Sequence, residues 1–94
     1  MSMPDSERYA VLILNDDDTP MEFVVHVLQR FFDMDKMTAT NLMLRINYEG
    51  RAECGYYAYE LAEKKVAAVL AFAREHQHPL QCLLQTPSTP ENSN

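Results

Sequence analysis

Asn15-Asp16-Asp17-Asp18-Thr19-Pro20-Met21-Glu22 joins two runs of different hydrophobic period. Ahead of it lies Val11-Leu12-Ile13-Leu14, a short, partly β-branched apolar run that reads as a buried strand. Behind it, Met21, Val24, Val25, Leu28 and Phe32 recur at helical spacing, which predicts an amphipathic helix ending near Asp33. The junction is therefore a strand-to-helix turn. Thr19 is placed to act as N-cap, and Pro20 suits the first helical position, where no amide hydrogen is needed. Glu22 follows Thr19 by three residues and would complete a capping box.

Helix initiation accounts for Thr19, Pro20 and Glu22 but not for Asn15 and Asp17. In a chain that stays extended past Leu14, residues two apart point the same way. Asn15 and Asp17 would then converge, with Asp16 facing the other side. An amide oxygen and a carboxylate aimed at one point accept hydrogen bonds from a cation, and an ammonium group, with three donors and no acceptor, fits them. A polar turn in which Asn and Asp bond nearby backbone accounts for the same two residues.

Outward from the turn, residues 8–14 form the first predicted strand, and residues 33–36 break the helical period as a loop. Thr38 is placed to cap a second, shorter helix with Ala39, Leu42, Met43 and Ile46 on its apolar stripe. Asn47 lies one turn after Met43, and Gly50 is the expected stop. Residues 51–57 read as a second strand, weakened at Gly55. A long helix follows over residues 58–77, burying Ala62, Val66, Val69, Leu70 and Ala73. Arg74, His76 and His78 suit its C-terminal end, and Pro79 forbids continuation. Residues 80–86 form the third predicted strand. The order β-α-α-β-α-β predicts an α+β domain of two layers over residues 8–86. Its three-stranded antiparallel sheet would carry helices on one face and leave the other partly open. Residues 1–7 read as a short flexible lead and residues 87–94 as a disordered tail.

The chain has 94 residues, 47% of them hydrophobic, enough for one small core. A net charge of -6 argues against a nucleic-acid binder. No apolar run approaches the roughly 18 residues of a membrane span, and residues 1–7 carry no signal-peptide pattern. Cys54 and Cys82 make no CxxC pair and read as free thiols in a reducing cytoplasm, with a disulfide left open. Asp16, Asp17 and Asp18 lack the calcium-loop spacing, and His76 and His78 diverge on a helix, so no metal and no cofactor are expected. No catalytic arrangement of Ser, His, Cys and Asp is apparent. The lack of a sustained exposed apolar stripe points to a monomer.

Three separated stretches resemble the ClpS adaptor family: residues 14–24, residues 59–66 and His78-Pro79-Leu80-Gln81-Cys82. The likeness spans residues 8–86. It implies a non-enzymatic adaptor of the bacterial N-end rule. Such an adaptor binds proteins whose first residue is Leu, Phe, Tyr or Trp, and delivers them to a Clp AAA+ unfoldase of the ClpA type. By position, the resemblance assigns Asn15, Asp17 and Asn47 to the substrate's α-amino group. It assigns Thr19, Pro20, Met21, Val24, Met43, Ile46 and Leu80 to the side-chain pocket, with Met21 as a gate against β-branched residues. Glu60 and Lys65 match unfoldase-docking positions. Asn47 stands where the family usually has His, which implies altered strength or selectivity, and the lead is shorter than in many members. Two further readings stay open: an interaction domain of the same fold without N-degron recognition, and a small enzyme or metal-binding protein using the acidic turn.

Overall fold

A continuous apolar run, buried from Ala10 to Ile13, places Tyr9–Leu14 (β1) at the centre of the sheet. The computed structural model describes residues 8–86; the expected lead and tail lie outside the described residues. Helices Met21–Phe32 (α1) and Lys36–Glu49 (α2) come next. They are followed by Arg51–Tyr57 (β2), the helix Tyr59–Glu75 (α3) and Gln81–Gln85 (β3). The sheet runs β2-β1-β3, and β1 is antiparallel to both neighbours. The predicted α+β order is therefore the observed one.

Val11 and Ile13 of β1 join Ala52 and Cys54 of β2 and Cys82 of β3 in the core shared with the helices. Val27 and Leu28, both fully buried, anchor α1 against this core. Each such side chain contributes about 1.5–3 kcal/mol by burial. On the opposite face Leu12 is paired with Glu53 on one side and Leu83 on the other. Glu53 and Leu83 are exposed while Leu12 is 4% exposed, so the central strand is shielded by its neighbours on the face without helices. Val11 faces Gly55 and Leu12 faces Glu53, which leaves Cys54 as the extra residue of a bulge. A Cβ on Gly55 would collide with the Tyr57 ring lying across it, so the weak point of β2 is a seat for an aromatic side chain.

Both predicted N-caps are displaced. The residue capping α1 is Pro20, in extended conformation, with no side-chain cap, and Thr19 lies one position outside. The Thr19 hydroxyl donates instead to Asp16 Oδ2 at 2.9 Å, so the capping box with Glu22 does not form. Local side-chain bonding competes with the helix end and wins. α2 begins at Lys36, inside the expected loop, and its cap is Asp35, which accepts the Thr38 amide at 2.7 Å. That bond, joined by one from the Thr38 hydroxyl, holds the exposed Asp35 carboxyl below its usual pKa. At the end of α3 the His76 backbone N–H closes the helix. The imidazoles of His76 and His78 pack on Phe23, with ring centroids 5.5 and 4.4 Å away.

Candidate functional site

A cavity of about 300 Å³ opens between the β1–α1 connection, the first turn of α1 and the C-terminal half of α2. Asn15, Asp16, Asp17 and Asn47 contribute its polar lining; Pro20, Met21, Val24, Met43 and Ile46 contribute its apolar lining, with Thr19 between. These residues come from two segments far apart in sequence, and the backbone explains how they meet. Gly50 ends α2 at φ 97°, in the left-handed region that favours glycine, and its N–H returns to the Ile46 carbonyl at 2.8 Å. The Gly50 carbonyl then accepts the Asn15 N–H at 2.9 Å. The first residue past β1 is thus stitched to the end of α2, whose last turns carry Ile46 and Asn47.

Asn15 Nδ2 donates to Asp17 Oδ1 at 3.4 Å, so the two side chains do converge as the spacing predicted. Among the described residues Asn15 Oδ1 and the second Asp17 oxygen accept no other hydrogen bond. Asp16 also lines the cavity, which the alternation argument missed. The chain turns at Asp17 and Asp18 instead of staying extended. Asp16 Oδ2 gathers the Asp18 amide at 3.2 Å as well as the Thr19 hydroxyl. The legible signal was Thr three residues after Asp, the spacing of a side-chain-closed turn. Thr19 is the one buried polar residue among those described, 7% exposed, and Asp16 satisfies its hydroxyl.

Met43 and Ile46 are buried, Met21 is half-exposed at the mouth, and Asn47 is exposed. Leu80 does not join this lining. It is 3% exposed and borders a separate hollow with Arg74, His78 and Pro79. Glu60 and Lys65 lie on α3, outside the cavity. Glu60 is exposed. The Lys65 ammonium donates to the Phe31 carbonyl at the end of α1 and sits 5.6 Å from both the Phe32 and Tyr57 rings. Lys65 therefore ties α3 to α1, a structural task that the sequence did not show.

Among the described residues two carboxylates and no Lys, Arg or His line the cavity. Its polar side attracts a cation and its other side accepts an apolar group. At about 300 Å³ it stands at the lower limit of small-molecule sites, about 300–1,000 Å³, which suits one side chain. Among the described residues no cluster of three His, Cys, Asp or Glu could hold a metal ion, and no helix is long and apolar enough to cross a membrane. Cys54 and Cys82 are free and buried. Burial pushes both thiols up to about 12, Cys54 aided by the neighbouring Cys82, so neither is a poised nucleophile.

A family model described as ATP-dependent Clp protease adaptor protein ClpS matches residues 4–83. The chain is 61% identical over 77 residues to the ATP-dependent Clp protease adapter protein ClpS 2 of Rhodopseudomonas palustris, covering 82% of this chain and 71% of the relative. It is 57% identical over 77 residues to the ClpS 1 adapter of Agrobacterium fabrum, covering 82% and 66% respectively. The chain thus spans about two thirds of the length of these relatives. Among solved structures, Agrobacterium tumefaciens ClpS2 bound to L-phenylalaninamide superposes with a TM-score of 0.82 at 31% identity, over 85% of this chain and 96% of that one.

Proposed function

Because this chain belongs to the ClpS family of ATP-dependent Clp protease adaptors, we propose that its acid-rimmed cavity receives the first residue of a protein destined for degradation. The observation that carries the reading is the composition of the lining: two carboxylates, two amides and no base on one side, Met21, Val24, Met43 and Ile46 on the other. A free α-amino group with a large apolar side chain satisfies both sides at once. The L-phenylalaninamide held by the structural relative has that chemistry.

In this reading Asn15, Asp17 and Asn47 accept the α-ammonium hydrogens. Asp16 orders the turn and adds negative potential. Thr19, Pro20, Met21, Val24, Met43 and Ile46 enclose the side chain, Met21 at the mouth as the gate. The adaptor then presents the bound protein to a Clp AAA+ unfoldase of the ClpA type. Glu60 offers an exposed docking charge; Lys65 would dock only by leaving Phe31. We place this event in the cytoplasm, with the adaptor as a monomer. The chain itself carries out no bond-breaking step.

Magnitudes explain why both features of the first residue are required. A hydrogen bond to a charged group contributes about 1.5–3 kcal/mol. Burying a Leu or Phe side chain adds about 1.5–3 kcal/mol. Micromolar affinity needs about 8 kcal/mol. One such bond and one buried side chain sum to about 3–6 kcal/mol, so the α-ammonium must make several bonds while the side chain is buried, and internal Leu and Phe residues, which have no free amine, fall short.

The test is fluorescence-anisotropy binding of peptides that differ only in their first residue: Leu, Phe, Tyr, Trp, Ile and Ala, with an acetylated Phe control. Binding confined to free-amine large residues is expected, with Asp17→Ala abolishing it while the circular dichroism spectrum stays native. Acetylated peptide binding as tightly as free peptide would refute the ammonium role.

A further inference from the structure

We infer that the outer edge of β3 is a docking site for an extended acidic segment of a partner protein, with Arg74 holding its carboxylate in the hollow where the strand begins. This hollow shares no lining residue with the first-residue cavity, and the inference does not depend on that cavity's role.

The two edges of the sheet differ. β2 and β3 are its outer strands. An outer strand presents a row of unpaired N–H and C=O groups, which charges, prolines and bulges blunt. β2 is blunted: Arg51 and Glu53 are exposed, and the bulge at Cys54 interrupts its ladder. β3 has none of these devices. Its five residues, Gln81-Cys82-Leu83-Leu84-Gln85, are uncharged and pair with β1 in unbroken register. Gln81, Leu83 and Gln85 are exposed. Among the described residues no further strand lies beside β3, and no backbone bond from a loop or helix end reaches residues 81–85. The edge is open to strand addition.

The hollow selects the occupant. About 560 Å³ in volume, it is lined by Arg74, Gln77, His78 and Gln81 over Leu70 and Leu80, with no Asp or Glu among the described residues. Gln81 is fixed there by donating its side-chain amide to the Pro79 carbonyl at 3.2 Å. The dipole of α3 favours a cation in its last turn, where Arg74 lies. Among the described residues the one ion pair joins Arg45 to Glu49, so Arg74 is committed to no carboxylate. A carboxylate is the planar acceptor that a guanidinium takes in two parallel bonds. A second copy of the chain does not fit: β3 set antiparallel against β3 about Leu83 brings Gln85 and Thr86 to the hollow, and neither is acidic.

Direction follows from the sheet. Both existing pairings are antiparallel, and parallel pairing is slightly less stable. An antiparallel segment has its C-terminal end beside Gln81, which both opens β3 and lines the hollow. The occupant is therefore about five residues of extended chain followed by an acid.

Two peptides of identical composition test this: Thr-Val-Thr-Val-Thr-Asp-Asp and Asp-Asp-Thr-Val-Thr-Val-Thr, each acetylated and amidated. Blocking the amine keeps both out of a cavity that requires it, and their equal charge means that the net charge of the adaptor does not separate them. Titrations followed by amide NMR of the nitrogen-15-labelled protein are expected to shift residues 81–85 and the Arg74 side chain, and to leave Asn15, Asp17 and Asn47 in place. The peptide with its acids last should bind about threefold more tightly, as an exposed ion pair allows. About 0.5 M salt should remove that preference. So should Arg74→Gln, while Arg74→Lys retains part of it. Absence of shifts along β3, equal affinity for the two peptides, or a preference unchanged in Arg74→Gln would overturn the assignment.

Discussion

Replacing Thr19 with Val removes one hydroxyl and keeps the shape, so it isolates the bond that closes the acidic turn. Thr19 Oγ1 lies 2.9 Å from Asp16 Oδ2, and the Thr19 side chain is almost fully buried. A hydrogen bond to a charged group contributes about 1.5–3 kcal/mol. Asp16 is only partly buried and retains the Asp18 amide at 3.2 Å, so water and that amide recover part of the loss. The expected destabilisation is about 1–2 kcal/mol, or about 4–8 °C in Tm for each kcal/mol in a chain of this size. Binding should also weaken, because Asn15 and Asp17 are displayed by this turn. Re-ordering a mobile side chain costs about 0.5–1.5 kcal/mol. With two of them loosened, affinity for a Phe-first peptide falls about tenfold. Thermal unfolding by circular dichroism and anisotropy titration measure the two effects, with Thr19→Ser, which keeps the hydroxyl, as the comparison. If Thr19→Val and Thr19→Ser unfold together and bind alike, the Asp16–Thr19 bond holds neither the fold nor the site.

Lys65→Met keeps the apolar stem and deletes the charge at the end of α1; a loss of about 1–2 kcal/mol in urea unfolding is expected from the bond to the Phe31 carbonyl and its place at the helix end. Unchanged stability would free Lys65 for docking alone. Met21→Ala merges the mouth of the cavity with the neighbouring groove, so peptides beginning with Ile or Val should gain measurable affinity; continued exclusion of both would show that Met21 is not the gate. The thiols give a pH dependence of known sign. Cys54 and Cys82 are raised to about 12 in the folded chain against 9.0 when solvated, so the unfolded chain sheds its thiol protons first. Their contribution is complete below about pH 9 and is lost as pH rises toward about 12, on the order of 1.4 kcal/mol per pH unit for each thiol. Urea midpoints between these limits should fall more steeply than in the Cys54→Ala, Cys82→Ala double variant; parallel slopes would show that the thiols are not buried.

The parts of the fold legible in the sequence are those set by hydrophobic period and by single residues with one conformational use. Val11 to Leu14, the stripe of α1 and the stop at Gly50 belong to this class. Capping was misassigned because a side-chain oxygen has several amides within reach, and local pattern does not rank them. Thr19 had the right chemistry for a cap, but Asp16 took its hydroxyl three residues back. Asp35 took the amide of Thr38, the residue that sequence spacing had nominated as the cap. In both cases an aspartate upstream of a threonine outcompeted it, since a carboxylate accepts more strongly than a hydroxyl.

The site was legible to a different depth on each side. Convergence of Asn15 and Asp17 needed only a spacing of two residues, and it survives although the chain turns at Asp17 and Asp18. The arrival of Asn47 needed a long-range fact, the bond from Asn15 N–H to the Gly50 carbonyl. No local pattern encodes that bond; it follows from the register in which β1 pairs with β2, Leu14 opposite Arg51. Because a shift of register by one residue would reverse every side chain of the strand, the buried set Val11, Ile13, Ala52 and Cys54 fixes it. The apolar core thus positions the polar end of the cavity. The placement of Asn15, Asp17 and Asn47 around one cavity is a consequence of packing between the sheet and the helices, and the acidic turn supplies the charge at a place the core has already chosen.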